Sequence, residues 1–370
     1  MDQREEFVEA ARRRQKPFST LCADYGISRK TGYKWLNRAS LGQQLCEQSR
    51  CPHRQPSKTA SDIEQQILLV RESNPTWGGR TIKAVLESAG VNGVPSAKTC
   101  GNILKRNGCI DPIASLEHKP CQRFEKAHCN ELWQTDFKGD FLLGDGSRCY
   151  PLDILDDHSR YALRVEPKSS ASGVKESFIL TFREFGLPNA ILSDNGSQFA
   201  GFKGGYTQFE RFLMDLDVLP IHGRAFHPQT QGKIERFHRT MKSEALRHPI
   251  ANMEEADKVL QTWRWKYNEL RPHSALGMKT PGSVYEPSTR KYTDPKKYVY
   301  DEGAVLRKVN SWGYLRFGPV CVYLSETMAD TFLEIREGED DTFSVIYRNY
   351  RIAQIDAHSQ NLLNRTIHRL

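Results

Sequence analysis

The sequence predicts a multidomain chain in three parts: all-α helix-turn-helix units at the amino terminus, a central α/β layer, and a small β-barrel at the carboxyl terminus. Three observations predict it. Helical periodicity broken by glycine and polar turns runs over residues 18–107, strand-like and helix-like segments alternate from about 131, and short strand-like runs fill 297–357. At 370 residues the chain exceeds the size of one compact domain, so each part has room for its own core.

The stretch FSTLCADYGISRKTGYKWLNRA, residues 18–39, reads as two short helices around Gly26. Phe18, Leu21, Cys22 and Tyr25 form one apolar stripe, Gly26 permits a sharp turn, and Ser28 can cap a second helix that carries Trp35 and Leu36 inward. Arg29, Lys30, Lys34 and Arg38 then decorate that second helix, where a recognition helix meets phosphates and base edges. A solvated basic face on a protein-binding bundle is the blander alternative. Residues 1–60 hold 12 Lys and Arg against 6 Asp and Glu, so this part carries most of the chain's positive excess.

The tract SRCPHRQPSKTA is polar, basic and twice interrupted by proline, which makes 49–60 a linker between a first domain at 1–48 and a second at 61–112. Helices are expected at about 61–73, 79–89 and 96–107, with Trp77-Gly78-Gly79 breaking the first pair and Ser96 capping the third. This is again a helix-turn-helix pattern, with Lys98, Lys105 and Arg106 on its last helix. Two such modules in series suit an extended DNA site.

A central domain at 125–285 begins with LWQTDFKGDFLL and the run from Cys149 to Val165, strand-like segments around the turn signal Gly144-Asp145-Gly146. A helix over 171–186, a short buried strand over 189–193, a helix over about 206–216 and a long helix from near Lys233 follow. In the last segment, 295–358, the runs AVLRKV, GYLRF, VCVYL, TFLEI, TFSVIY and YRIAQID are separated by Gly-rich or acidic turns, the pattern of a small β-barrel.

The net charge of +8 and pI near 8.9 favour a polyanionic partner, without separating nucleic acid from an anionic membrane. No 18-residue apolar run occurs, so a cytoplasmic, non-membrane protein is expected. Nine scattered cysteines do not suggest a disulfide framework, and Cys46, Cys51 and His53 lack the second pair a zinc site needs.

Three acids stand out. Asp136 lies inside a strand, Asp194 follows the apolar strand ILS directly before an Asn195-Gly196 turn, and Glu235 opens a helix on which Arg239 and Lys242 share its face. Taken singly, each acid reads equally well as a turn former, a cap or half of an ion pair. Brought together, such carboxylates repel one another unless a cation is bound, and Mg²⁺ or Mn²⁺ prefers oxygen ligands. Two such ions on one phosphate suit phosphodiester chemistry.

The segments LWQTDFKGD, LDILDDHSRY, LSDNGSQF, HPQTQGKIERFHRTMK and YNELRPHSALGMKTP, in this order, resemble the integrase core of bacterial insertion-sequence transposases of the DDE type, themselves similar to retroviral integrases. The resemblance is strong over about 130–285 and extends to the flanking modules. It implies a ribonuclease-H-like core in which Asp136, Asp194 and Glu235 are catalytic and bind two Mg²⁺ or Mn²⁺ ions. Asn195, Gly196, Gln198, Gln231, Gly232, Lys233 and Arg236 would frame the site and touch DNA. Forty residues separate Asp194 from Glu235; the family commonly has about 35, and the surplus fits a surface insertion at GFKGGYTQ. Asp156 and Asp157 read as turn aspartates, and His222 and His227 as loop histidines near phosphate.

The function implied is recognition of inverted-repeat ends of double-stranded DNA, then metal-dependent cleavage and strand transfer by an oligomer holding paired ends. A transposase-derived regulator that binds without cutting, and a plain metal-dependent nuclease, are the rival classes.

Overall fold

The computed structural model describes residues 3–47, 59–110, 125–201, 205–223, 232–338 and 341–370. The expected linker lies almost wholly outside the described residues, as do Gln231 and His227. The chain divides into two compact units, residues 1–58 and 59–370.

In the first unit, α1 (Gln3–Arg13), α2 (Phe18–Asp24) and α3 (Arg29–Ser40) pack around Phe7, Val8, Leu21, Cys22 and Trp35. Helix α1 escaped the sequence reading, yet it supplies the buried Phe7 and Val8 that complete the core. Gly26 sits at φ +63°, a left-handed turn that only glycine adopts without strain, and Ser28 accepts from the Thr31 amide to start α3.

The second unit opens with α4 (Ser61–Ser73), α5 (Gly79–Ser88) and α6 (Ala97–Arg106), close to the expected bounds. Ile67, Trp77, Ile82, Leu86, Cys100 and Leu104 fill their common core, and Ser96 caps α6 through the Thr99 amide.

The α/β layer follows as β1 (Trp133–Phe137), β2 (Phe141–Leu142), β3 (Arg148–Cys149), β4 (Leu152–Asp156), β5 (Ala162–Glu166), α7 (Val174–Phe185), β6 (Ala190–Ser193), α8 (Gln208–Asp215), β7 (Leu219–His222), α9 (Gly232–Glu244) and α10 (Met253–Trp265). Strands β2 and β3 form a separate hairpin. The main sheet has the order β5-β4-β1-β6-β7, with β5, β4 and β1 antiparallel and β6 and β7 added in parallel. Strand order and directions agree with the ribonuclease-H-like core that the sequence resemblance implies. Side-chain alternation divides the sheet: Trp133, Leu152, Ile154, Leu163 and Ile191 meet the phenylalanines of α7 and α8 on one face. Leu155, Ala162 and Val165 meet Phe237, Met241, Leu260 and Trp263 of α9 and α10 on the other.

The carboxyl-terminal segment contains β8 (Leu306–Lys308), β9 (Tyr314–Phe317), β10 (Val320–Tyr323), β11 (Phe332–Glu337), β12 (Thr342–Tyr347), β13 (Tyr350–Asp356), β14 (Leu362–Asn364) and β15 (His368–Arg369). The expected small β-barrel is not closed. Strands β14-β13-β12-β11-β8 form an open antiparallel sheet, β15 adds to β13, and β9 and β10 pair only with each other among the described residues. The physical reason is that the sheet buries its inner face elsewhere. The β9–β10 hairpin brings Leu315, Val320 and Val322 over it, and the core brings Tyr206 and Met214. Polar bonds seal the junction, with Arg348 on Asp215 at 2.8 Å and Tyr350 and Arg369 on Asp217.

Beyond α10 the chain passes through one π-turn, Lys266–Leu270, to His273, whose ring meets Tyr267 edge-on. Burial, then the charges of Arg271 and Arg160, push the His273 pKa from 6.5 down to about 3. The unfolded chain therefore takes up a proton that the folded chain refuses, and stability falls as the pH drops below 6.5. The loss through this residue is up to about 1.4 kcal/mol per pH unit. Urea unfolding at pH 7.0 and 5.5 should show His273→Gln losing less stability on acidification than the parent; equal losses would contradict the assignment.

Candidate active site

Two local features aim carboxylates at one place. The β1–β6 pairing sets Trp133 against Ile191 and Gln134 against Leu192, and continuing that register brings Asp136 level with Asp194. Asp194 lies one residue beyond the strand, where it accepts from the Gly196 amide at 3.0 Å, and the chain turns away. A Cβ at Gly196 would meet both the Asp194 carboxylate and the Gln198 amide oxygen at 3.0 Å, so a larger residue there would have to push those two side-chain ends aside. Asn195 is exposed and donates to the Gly223 carbonyl.

On the other side of β1, the antiparallel register sets Asp136 opposite Asp153 of β4. Asp153 is fully buried, and its carboxylate lies 2.8 Å from Nε2 of His238 on α9. The contact does not meet hydrogen-bond geometry, and it is an ion pair only where His238 carries a proton. His238 Nδ1 stands 4.0 Å from Asp136. Burial is the largest cause pushing the Asp136 pKa up to about 6; His238 opposes it, and the charges of Asp194 and Asp153 add to it. Asp153 is raised as well, again chiefly by burial.

This surplus of negative charge fits a hard divalent cation, which prefers carboxylate oxygens and would relieve the repulsion. Glu235 lies on the exposed side of α9, one turn before His238, together with exposed Arg236, Arg239 and Lys242. The structure thus joins Asp136 with Asp194 and leaves Glu235 on the adjoining helix. Among the described residues no three His, Cys, Asp or Glu side chains converge closely enough to hold a metal ion.

The other expected contacts divide between exposed and engaged groups. Arg29, Lys30, Lys98 and Lys105 are exposed on α3 and α6. Lys34 pairs with Glu47 at 3.1 Å, and Arg38 donates to the Cys46 carbonyl and lies over Trp35. Lys233 turns inward to Asp157. His222 ends β7 rather than sitting in a loop, and its Nε2 is 2.8 Å from Glu210. Burial opposes protonation there, but the bond and charge of Glu210 outweigh it and raise the pKa.

Sequence reasoning missed Asp153 and His238. The spacing of His238 three residues after Glu235 was visible; the strand register that brings Asp153 to it was not.

Two models described as integrase core domain match residues 126–228 and 216–281. Residues 126–281 of this chain are thus similar to an integrase core domain. The chain is 30% identical over 155 residues to a 31.7 kDa protein of insertion element IS407 from Burkholderia multivorans, covering 41% of this chain and 54% of that protein. It is 29% identical over 243 residues to transposase InsD for insertion element IS2 in Escherichia coli, covering 60% and 77%. With IS407 and with the 39.2 kDa protein of IS476 from Xanthomonas euvesicatoria, of which 43% is covered, the chain spans about half the relative's length. Among solved structures, the HTLV-2 integrase catalytic core domain in complex with magnesium is 16% identical, covers 43% of this chain and 99% of its own, and has a TM-score of 0.33.

The α/β layer also grips its neighbouring helices. Glu244, at the last turn of α9, accepts from Trp263 Nε1 at 3.0 Å and Thr76 Oγ1 at 2.6 Å, and pairs with Arg271. Lys266 lies over the Trp77 ring. Glu244→Ala leaves Arg271 unpaired in a largely buried place, and urea denaturation should show a loss of about 3 kcal/mol. A change below about 1 kcal/mol, the worth of a surface pair, would mean that Glu244 is not an anchor.

Proposed function

We propose that this chain is a DNA transposase that binds the inverted-repeat ends of an insertion sequence and catalyses divalent-metal-dependent cleavage and strand transfer. The observation that carries the reading is the parallel β1–β6 register, which sets Asp136 beside Asp194 in a segment matched as an integrase core. Asp136 and Asp194 would hold the cation, with Glu235 supplied from α9. Bound Mg²⁺ or Mn²⁺, in the two-ion form, supplies Lewis acidity toward a phosphodiester and lowers the pKa of an attacking water or 3′ hydroxyl.

The chain's own residues do the rest. The rigid sheet fixes the spacing of the two aspartates, and the Asn195-Gly196 turn clears the backbone from in front of Asp194. Exposed Arg236, Arg239 and Lys242 extend a cationic strip along α9 that suits a phosphate backbone. Arg29 and Lys30 on α3, with Lys98 and Lys105 on α6, form further cationic surfaces at which recognition helices would meet double-stranded DNA. Paired DNA ends call for a homo-oligomer. No helix among the described residues is long and apolar enough to cross a membrane.

The test incubates the purified full-length chain with duplexes carrying the repeats that flank its gene, supercoiled plasmid and Mg²⁺. Strand-joined products are expected. Asp194→Asn and Glu235→Gln should each lower cleavage at least about 100-fold, the scale of losing one charge-stabilising group, while keeping end binding. End binding without nicking by the parent would instead favour a regulator, and nicking of any duplex without joining would favour a nuclease.

A further inference from the structure

Asp157 follows β4 and is completely buried. Lys233, on the first turn of α9, donates to its carboxylate at 2.5 Å and to its backbone carbonyl at 3.1 Å. The same carboxylate accepts from Gln134 Nε2 of β1 at 2.7 Å and from the Lys126 amide at 2.9 Å. Gln134 lies two residues before Asp136, and Lys233 lies two residues before Glu235. One buried anion therefore reaches the near neighbour of two of the three acids, one on the sheet and one on the helix that covers it.

We infer that Asp157 and Lys233 form a positioning clasp that docks the first turn of α9 on the sheet and so sets Glu235 relative to Asp136, an inference that rests on the proposed metal-dependent reaction. Lys233 stands in the basic stretch GKIERFHRTMK, where an outward lysine would serve DNA phosphates. Its side chain is instead only 16% exposed and its ammonium is spent on Asp157. A buried carboxylate stripped of its cationic partner is strongly unfavourable, which holds the clasp shut. Farther along the same helix, His238 touches Asp153 and Glu244 holds Arg271, so of these three polar contacts the clasp is nearest Glu235 in sequence.

The test compares Lys233→Met, Asp157→Asn, the double variant and Lys233→Arg in the full-length chain. Three readouts serve: Mn²⁺ affinity by calorimetry without DNA, affinity and its salt dependence for the flanking-repeat duplex without metal, and single-turnover cleavage of that duplex. Both single variants should weaken Mn²⁺ binding about 10-fold, as removal of an outer-shell partner does. They should slow cleavage about 100-fold, as a misplacement of about 1 Å does, with duplex affinity unchanged. The double variant should be no worse than either single one, the mark of one shared interaction, and Lys233→Arg should recover most of the Mn²⁺ affinity.

Loss of duplex affinity with a shallower salt slope in Lys233→Met, alongside an unaffected Asp157→Asn, would make Lys233 a phosphate contact and overturn the clasp. Mn²⁺ affinity unchanged in both single variants would overturn it too. If Lys233→Met does not fold, the double variant, which removes both charges, carries the same comparison. A parent that binds Mn²⁺ but never cleaves would end the transposase reading and leave the Mn²⁺ comparison to decide the clasp.

Discussion

Parallel pairing of β1 with β6 brings Asp136 beside Asp194, and much of the surrounding architecture answers the electrostatic problem that this creates. A carboxylate on one strand and another just past the end of its neighbour repel, and burial removes the water that would screen them. The raised pKa of Asp136 expresses that conflict. The sheet holds the arrangement because its two faces are packed independently: the aromatic cluster of α7 and α8 closes one side, and α9 with α10 closes the other. Neither aspartate is needed for that packing, which leaves both free to serve a cation.

Helix α9 joins support and chemistry. Its inner side carries Lys233, Phe237, His238, Met241 and Glu244, each engaged with the sheet or the helices after it. Its outer side carries Glu235, Arg236, Arg239 and Lys242. Inner-face contacts thus fix a helix whose outer face presents an acid and a row of cations. The hydrogen bond from Thr76 to Glu244 extends the same framework to the helical unit at 61–110, so that a cationic helix and the acidic site belong to one packed body. The carboxyl-terminal sheet braces the opposite end, on α8 and the segment leading into β7.

Much of this was legible in sequence because it is local. Ser28 and Ser96 announce helix starts, Gly26 a turn, and the Asp194-Asn195-Gly196 sequence the end of a strand. What escaped depends on contacts far apart in the chain. Asp153 gains meaning only from its register against Asp136, and Lys233 resembles a phosphate ligand until Asp157, 76 residues away, is seen beneath it. The barrel expectation failed for a related reason: the runs of the last segment were read as strands, but Tyr206 and Met214 from the core cover the face that a closed barrel would have covered itself.

The central claim is that the β1–β6 register builds a cation-demanding carboxylate pair. Crystals of the full-length chain grown with Mn²⁺, with anomalous scattering recorded near the manganese edge, test it most directly. A strong anomalous peak coordinated by both Asp136 and Asp194 is the result expected. A structure with Mn²⁺ bound elsewhere and the two carboxylates turned apart would contradict it.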